Sequence, residues 1–77
     1  METLNDYQYQ VLAACNAAGQ ATKHELVQAT ALAGMTVANL LRDLETERLV
    51  AKDVDANRGT VVWQVTAHGA DMLDMES

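Results

Sequence analysis

The polar side chains best suited to recognition lie in one segment, residues 35–50, which reads MTVANLLRDLETERLV. Asn39 and Arg42 are three positions apart, so they share one face of an α-helix. An asparagine amide can bind an adenine edge, and an arginine guanidinium can bind a guanine edge, in the major groove of DNA. The pair therefore indicates a helix able to read base sequence. Polar residues on the outer face are also the ordinary pattern of any surface helix.

The same segment is amphipathic. Its apolar residues recur at positions i, i+3, i+4 and i+7, which places them on one helix face. These residues are Val37, Leu40, Leu41 and Leu44. The opposite face, called the outward stripe from here on, consists of Met35, Ala38, Asn39, Arg42 and Thr46. We therefore predict a helix over about residues 34–47 that presents the outward stripe to solvent.

Two helices are predicted before this one. The first covers residues 5–18, with Asn5 and Gln8 as its capping box and Gly19 suited to the left-handed position after its end. Its expected buried stripe is Tyr7, Val11, Leu12 and Cys15.

The second helix begins with the capping-box sequence 22–25 (TKHE) and runs through Ala31. Its expected inward residues are Leu26, Val27 and Thr30. Residues 29–34 leave room only for a tight corner, and two helices joined by so short a turn make a helix-turn-helix. Ala33 stands where a capping Ser or Thr is preferred, so the third helix is expected to begin without a side-chain cap.

After residue 49 the spacing of apolar residues changes from the period of an α-helix to the two-residue alternation of β-strands. Runs 49–54 and 60–65 flank the sequence DANRG, whose Asp, Asn and Gly are typical of a hairpin turn, with Arg58 at or near its tip. The alternating residues expected to face the core are Val61, Trp63 and Val65. Thr66 is then expected to cap a last helix over about residues 67–75, with Leu73 and Met72 available for burial.

These elements predict an α+β fold: a small winged helix-turn-helix with three helices, a two-stranded β-hairpin wing and a short C-terminal helix. Seventy-seven residues are enough for one small core, so residues 1–77 are interpreted as a single domain. The recognition helix would occupy about residues 34–47 and the wing about residues 49–66.

At this point the chain resembles a known family. Segments 36–50 (TVANLLRDLETERLV) and 53–73 (DVDANRGTVVWQVTAHGADML) are similar to the winged helix of MarR-type transcriptional regulators. In that family a leucine-rich recognition helix leads into a wing and a strand ending in Leu-Thr-x-x-Gly, for which this chain has VTAHG. The resemblance implies base contacts at Thr36, Ala38, Asn39 and Arg42, and phosphate or minor-groove contacts at Lys52, Arg58 and Lys23.

The chain departs from the family pattern in three ways. Arg48 occupies the position between helix and strand where a glycine is usual, so a different exit geometry is expected there. The outward stripe carries one cation where relatives usually carry two or more. The long flanking helices that dimerise the family are missing from these 77 residues, so its dimer and ligand pocket are not carried over.

The net charge of −6 opposes binding to nucleic acid, but its distribution matters. All five cations lie within residues 20–66, where the net charge is −1, and the two ends hold the other −5. The cations are Lys23, Arg42, Arg48, Lys52 and Arg58. An acidic rear and a near-neutral front are compatible with oriented but weak DNA binding, which favours a homodimer or larger assembly.

Other chemistry is not expected. Cys15 is the only cysteine and has no cationic neighbour in sequence, so we interpret it as a structural thiol. His24 and His68 lack a third ligand candidate, and no nucleophile–base set or glycine-rich phosphate loop is present, so no metal, cofactor or enzymatic activity is expected. The first six residues, METLND, do not resemble a signal peptide, and no apolar run could span a membrane. A soluble cytoplasmic protein is the expectation.

Two functions remain open at this stage. The first is a small DNA-binding transcriptional regulator that binds double-stranded DNA through the recognition helix and wing. The alternative is an acidic winged-helix module for protein contact, such as an accessory factor or anti-repressor of phage or plasmid type. Its motivation is the acidic balance, together with Met35, Trp63, Met72 and Met75 as candidate contact residues.

Overall fold

Four helices and a two-stranded antiparallel sheet make up the computed structural model, which describes residues 4–76. The elements in chain order are α1 (Asp6–Ala18), α2 (Lys23–Thr30), α3 (Gly34–Thr46), β1 (Val50–Asp55), β2 (Thr60–Val65) and α4 (Ala67–Glu76). This confirms the predicted α+β winged helix-turn-helix. Residues 1–3 and 77 lie outside the described residues, and with them half of the METLND segment on which the signal-peptide expectation rests.

Local hydrogen bonds define where α1 and α2 begin. The Asn5 side chain accepts from the Gln8 backbone N–H at 2.8 Å, and the Gln8 side chain accepts from the Asn5 N–H at 3.1 Å. Thr22 and Glu25 repeat the arrangement at 3.1 and 2.9 Å. Each box satisfies two N–H groups that a helix start would otherwise leave unpaired, as the sequence predicted.

The corner between α2 and α3 has a left-handed residue, Ala31, with φ of 59°. Its N–H donates to the Val27 carbonyl at 2.9 Å and closes α2. Ala33 then precedes α3 without a side-chain cap, as expected. The α3 residues that pack into the core are those that the spacing predicted: Val37, Leu40, Leu41 and Leu44.

The exit from α3 is held by contacts with the start of α4. Arg48 has φ of 62°, so it adopts the left-handed conformation that a glycine would favour at this position. The Thr66 hydroxyl donates to the Arg48 carbonyl at 2.7 Å and accepts from the Gly69 N–H at 3.0 Å. A Cβ on Gly69 would overlap the Leu49 carbonyl oxygen. Thr66 therefore caps α4, as predicted, and a glycine lets α4 approach the strand entry.

The hairpin turn follows the predicted chemistry. The Asp55 carbonyl accepts from the Gly59 N–H at 2.7 Å, and the Asp55 carboxylate accepts from the Asn57 N–H at 3.0 Å. Gly59 has φ of 65°.

The edge of β2 that does not pair with β1 is bridged to Ala21. The Ala21 N–H donates to the Trp63 carbonyl at 3.0 Å, and the Trp63 N–H donates to the Ala21 carbonyl at 2.7 Å. The second strand thus attaches the hairpin to the connection between α1 and α2.

Two burial predictions are wrong. Val61 is 42% exposed, whereas Val62, on the opposite face of β2, is 1% exposed. Strand alternation predicts one buried face, but residues on both faces of β2 are at least partly buried, and Val61, near the hairpin turn, is exposed. Trp63 and Val65 do pack against the core, half-buried. Tyr7 is 56% exposed because it lies about a quarter turn from the centre of the buried face of α1.

Candidate nucleic-acid interface

The outward stripe of α3 lies on the surface of the molecule. Met35, Asn39 and Arg42 are exposed, and the core residues of α3 hold the opposite face inward. Thr36 and Ala38 are half-buried at the edges of this exposed surface. A rigid helix anchored by four apolar side chains therefore presents an amide and a guanidinium outward.

Two of the three polar side chains on the outward stripe have no partner among the described residues. Within residues 4–76, neither the Asn39 amide nor the Arg42 guanidinium makes a hydrogen bond or an ion pair. Thr46 differs, since its hydroxyl donates to the Arg42 carbonyl at 2.9 Å, one turn earlier in the same helix. The free donors and acceptors are therefore in the N-terminal two-thirds of the stripe.

Charge divides α3 along its length. Residues 34–42 contain one charged group, Arg42, and no acid. Asp43, Glu45 and Glu47 follow, all exposed. At about 100° per residue, Asp43 and Glu45 lie on either side of the stripe rather than on it. A polyanion can therefore approach the N-terminal part of α3, whereas carboxylates repel it from the C-terminal end.

The wing tip is tied to the start of α2 by an ion pair. Arg58 Nη1 lies 3.4 Å from Glu25 Oε1, with the two side chains 47% and 46% exposed. The same carboxylate oxygen accepts from the Thr22 N–H at 2.9 Å. The Thr22 hydrogen bond, and secondarily Arg58, hold the pKa of Glu25 below its ordinary value. Glu25 thus caps α2 and contacts the wing tip through the same carboxylate oxygen.

The sequence prediction did not include this ion pair. The sequence pattern assigns Glu25 to the capping box and places Arg58 at the wing tip, and the family resemblance adds a phosphate or minor-groove contact for Arg58. Thirty-three positions separate the two residues, and no local spacing rule connects them.

The other two predicted phosphate ligands are also exposed. Lys52 lies opposite Trp63 across the hairpin, and its Nζ is 5.8 Å from the centroid of the Trp63 ring, a cation–π distance. Lys23 is the first residue of α2, two positions before Glu25. The structure therefore brings Arg58 next to the start of α2, which also carries Lys23, and leaves Lys52 on the sheet face.

Cys15 has the environment of a structural thiol. Its side chain is fully buried, and Sγ donates to the Trp63 carbonyl at 3.2 Å. Burial raises the pKa of the thiol to about 11. Because the thiolate is the nucleophilic form, the group is unreactive near neutral pH.

Two other properties concern the described part of the chain as a whole. Among residues 4–76, no three His, Cys, Asp or Glu side chains are grouped so that they could hold a metal ion. No helix in that range has the length and apolar character needed to cross a bilayer.

Comparison with known proteins gives structural matches only. No protein-family model and no curated protein matches the chain. Bordetella bronchiseptica BpsR, solved in a study of how 6-hydroxynicotinic acid regulates its DNA binding, matches with a TM-score of 0.86 and 28% identity over 94% of this chain and 52% of its own. A variant of Staphylococcus aureus MepR matches with a TM-score of 0.87 and 27% identity, over 94% of this chain and 55% of its own.

Two further matches contain DNA. A MepR variant bound to an oligodeoxyribonucleotide has a TM-score of 0.84 and 29% identity, over 92% of this chain and 54% of its own. An Escherichia coli MarR variant complexed with operator DNA has a TM-score of 0.86 and 23% identity, over 94% of this chain and 52% of its own. At that identity the match shows a shared fold alone. The chain spans about half the length of these structures. These neighbours are MarR-family winged-helix regulators, a class of regulatory proteins and not of enzymes.

Proposed function

We propose that this chain, a winged helix-turn-helix domain resembling the DNA-binding domain of MarR-type transcriptional regulators, binds double-stranded DNA and regulates transcription. The observation that carries the proposal is the outward stripe of α3, on which Asn39 and Arg42 are exposed and, within residues 4–76, without partners, with no acid on α3 before Asp43. The fold and its structural neighbours support the same assignment.

The recognition chemistry follows from these two side chains. Arg42 would bind guanine O6 and N7 with two parallel N–H donors, and Asn39 would bind adenine N6 and N7. Each such pair discriminates against a wrong base by about 1–3 kcal/mol. Thr36 and Ala38, half-buried beside them, are short enough to let the helix approach the base edges.

Backbone contacts would come from the cations of the wing and of α2. Lys52, Arg58 and Lys23 are assigned to phosphate oxygens or the minor groove, where they set orientation without reading sequence. Arg58 would exchange the Glu25 carboxylate for a phosphate. The phosphate contact of Arg58 would therefore add less binding free energy than that of an unpaired cation, because the ion pair with Glu25 must break first.

The charge balance indicates how the protein would be assembled on DNA. Five cations per chain limit the electrostatic attraction, and a net charge of −6 weakens it further. We therefore expect a homodimer on a two-fold symmetric site, with half-sites about one helical turn apart. A protein partner could supply the same second contact.

Selection from random duplexes at 50 mM salt, followed by gel shift, tests the proposal. Arg42→Ala should weaken binding to the selected site by about 1–3 kcal/mol and relax the preference for guanine at one position per half-site. Arg48→Asn removes the same charge from outside the stripe, and Asn tolerates the left-handed conformation there. This control should change affinity equally for all sequences.

Two results would contradict the proposal. DNA binding itself is refuted if no duplex shifts at 50 mM salt with wild-type protein at high concentration. Base recognition by Arg42 is refuted if Arg42→Ala and Arg48→Asn reduce binding equally at every sequence. The protein-contact alternative gains no support from the structural neighbours.

A further inference from the structure

Met35 is the most exposed large apolar side chain among residues 4–76, at 78%. It lies in the first turn of α3, outside the core cluster. Burying a methionine side chain stabilises a protein by about 1.5–3 kcal/mol, and none of that stabilisation is realised in the free chain. The residue therefore has no evident role in folding.

The position of Met35 relates it to the candidate interface. It precedes Asn39 by four residues and Arg42 by seven, so the three side chains project from one stripe of α3. The nearest acid in α3 is Asp43, about 12 Å further along the helix axis. Met35 thus occupies the N-terminal, acid-free part of the stripe, the part of a recognition helix that contacts base edges.

We infer that Met35 reads a thymine in the major groove by packing against its C5-methyl group. The inference rests on the proposed function and adds a specificity-determining residue to it. A thioether has no N–H donor and only a weakly accepting sulfur, so it cannot read bases as Asn39 and Arg42 do. The thymine methyl is the apolar group that an unmodified base pair presents in the major groove.

Geometry and flexibility both support this contact. The rise from Met35 to Asn39 is about 6 Å, close to two base-pair steps of about 3.4 Å. The thymine is therefore expected about two base pairs from the base that Asn39 contacts. An unbranched, polarisable side chain adapts to a small methyl target more readily than a branched one.

The test measures the contribution of the methyl group itself. In the duplex selected by the wild-type protein, each thymine is replaced in turn by deoxyuridine, which removes only the C5-methyl. At one position per half-site, wild-type affinity should fall about three- to fivefold, the effect of losing one buried methyl. Met35→Ala should bind the thymine and deoxyuridine duplexes equally at that position.

Met75→Ala is the matched control, because Met75 is also an exposed methionine, at 65%, but lies in α4. It should keep the wild-type ratio of thymine to deoxyuridine affinity. Helical circular dichroism and the melting temperature check that both variants fold.

The outcomes separate the inference from the function on which it rests. If a duplex is selected but deoxyuridine affects wild-type and Met35→Ala equally at every position, the inference is overturned and DNA binding stands. If Met75→Ala loses the discrimination as well, the assignment to Met35 is also overturned. If no duplex is selected, the proposed function fails and the inference fails with it.

Discussion

Two residues other than glycine adopt the left-handed backbone conformation that glycine adopts more easily. Ala31, after α2, has φ of 59°, and Arg48, after α3, has φ of 62°. In this region Cβ crowds the following carbonyl, at a cost of about 1–2 kcal/mol per residue. The left-handed conformation is needed at both positions because it turns the chain into the next element.

Ala31→Gly should therefore raise the free energy of unfolding by about 0.5–1 kcal/mol, after allowance for the greater freedom of glycine in the unfolded chain. Urea denaturation should show a higher midpoint with an unchanged slope. Ala29→Gly, at an exposed position inside α2, serves as the control and should lower stability by about 0.5–1 kcal/mol. Equal losses from both substitutions would contradict the left-handed assignment of Ala31.

At the scale of elements, the wing and α2 are coupled through one carboxylate. Glu25 accepts the Thr22 N–H and pairs with Arg58, so the helix start and the wing tip share an acceptor. Its folded-state pKa lies below the ordinary 4.5. The stabilisation is therefore present above the unfolded-state pKa and is lost as the pH falls through the folded-state value. At neutral pH the Glu25 carboxylate is ionised, and in the proposed DNA complex it would compete with phosphate for Arg58.

Glu25→Gln should keep the capping acceptor but release Arg58. We expect duplex affinity at 50 mM salt to rise by a small factor, below about fivefold, because Arg58 no longer leaves a carboxylate to reach a phosphate. Fluorescence anisotropy with a labelled duplex measures the change. Glu47→Gln removes one negative charge elsewhere on the surface. An equal gain from that control would mean that net charge, and not the ion pair, governs the effect.

At the scale of the whole molecule, charge is distributed unevenly along the chain. Residues 20–66 carry a net −1, and the end segments carry −5. Asp6, Asp71 and Asp74, all exposed, belong to α1 and α4 rather than to α3 or the wing. In the proposed complex, repulsion between these carboxylates and phosphate would favour the orientation in which α3 and the wing face the duplex.

The salt dependence of duplex binding should reflect the small number of cations. With five per chain, the slope of log K against log salt should be no steeper than about −4.5 per bound chain. Titrations between 50 and 200 mM salt give this slope. Lys52→Gln should flatten it by about 0.9, and the neutral variant Gln10→Ala should leave it unchanged. A steeper slope per chain would require cations from another molecule.

Much of this architecture could be predicted from short-range patterns. The capping boxes at Asn5 and Thr22 depend on hydrogen bonds across three residues, and the buried face of α3 depends on a period of 3.6. The turn at residues 55–59 depends on Asp, Asn and Gly in adjacent positions. Local composition therefore determined the order of the elements and placed Asn39 and Arg42 on one helix face.

Only the tertiary structure decided which of those positions are buried or paired. Val62 is buried and Val61 exposed, although strand alternation predicts that Val61 faces the core. Arg58 meets Glu25 because the hairpin is attached through Ala21, and that contact joins residues far apart in the chain. Periodicity and capping act across one helical turn or less, whereas burial and ion pairing depend on how separate elements pack.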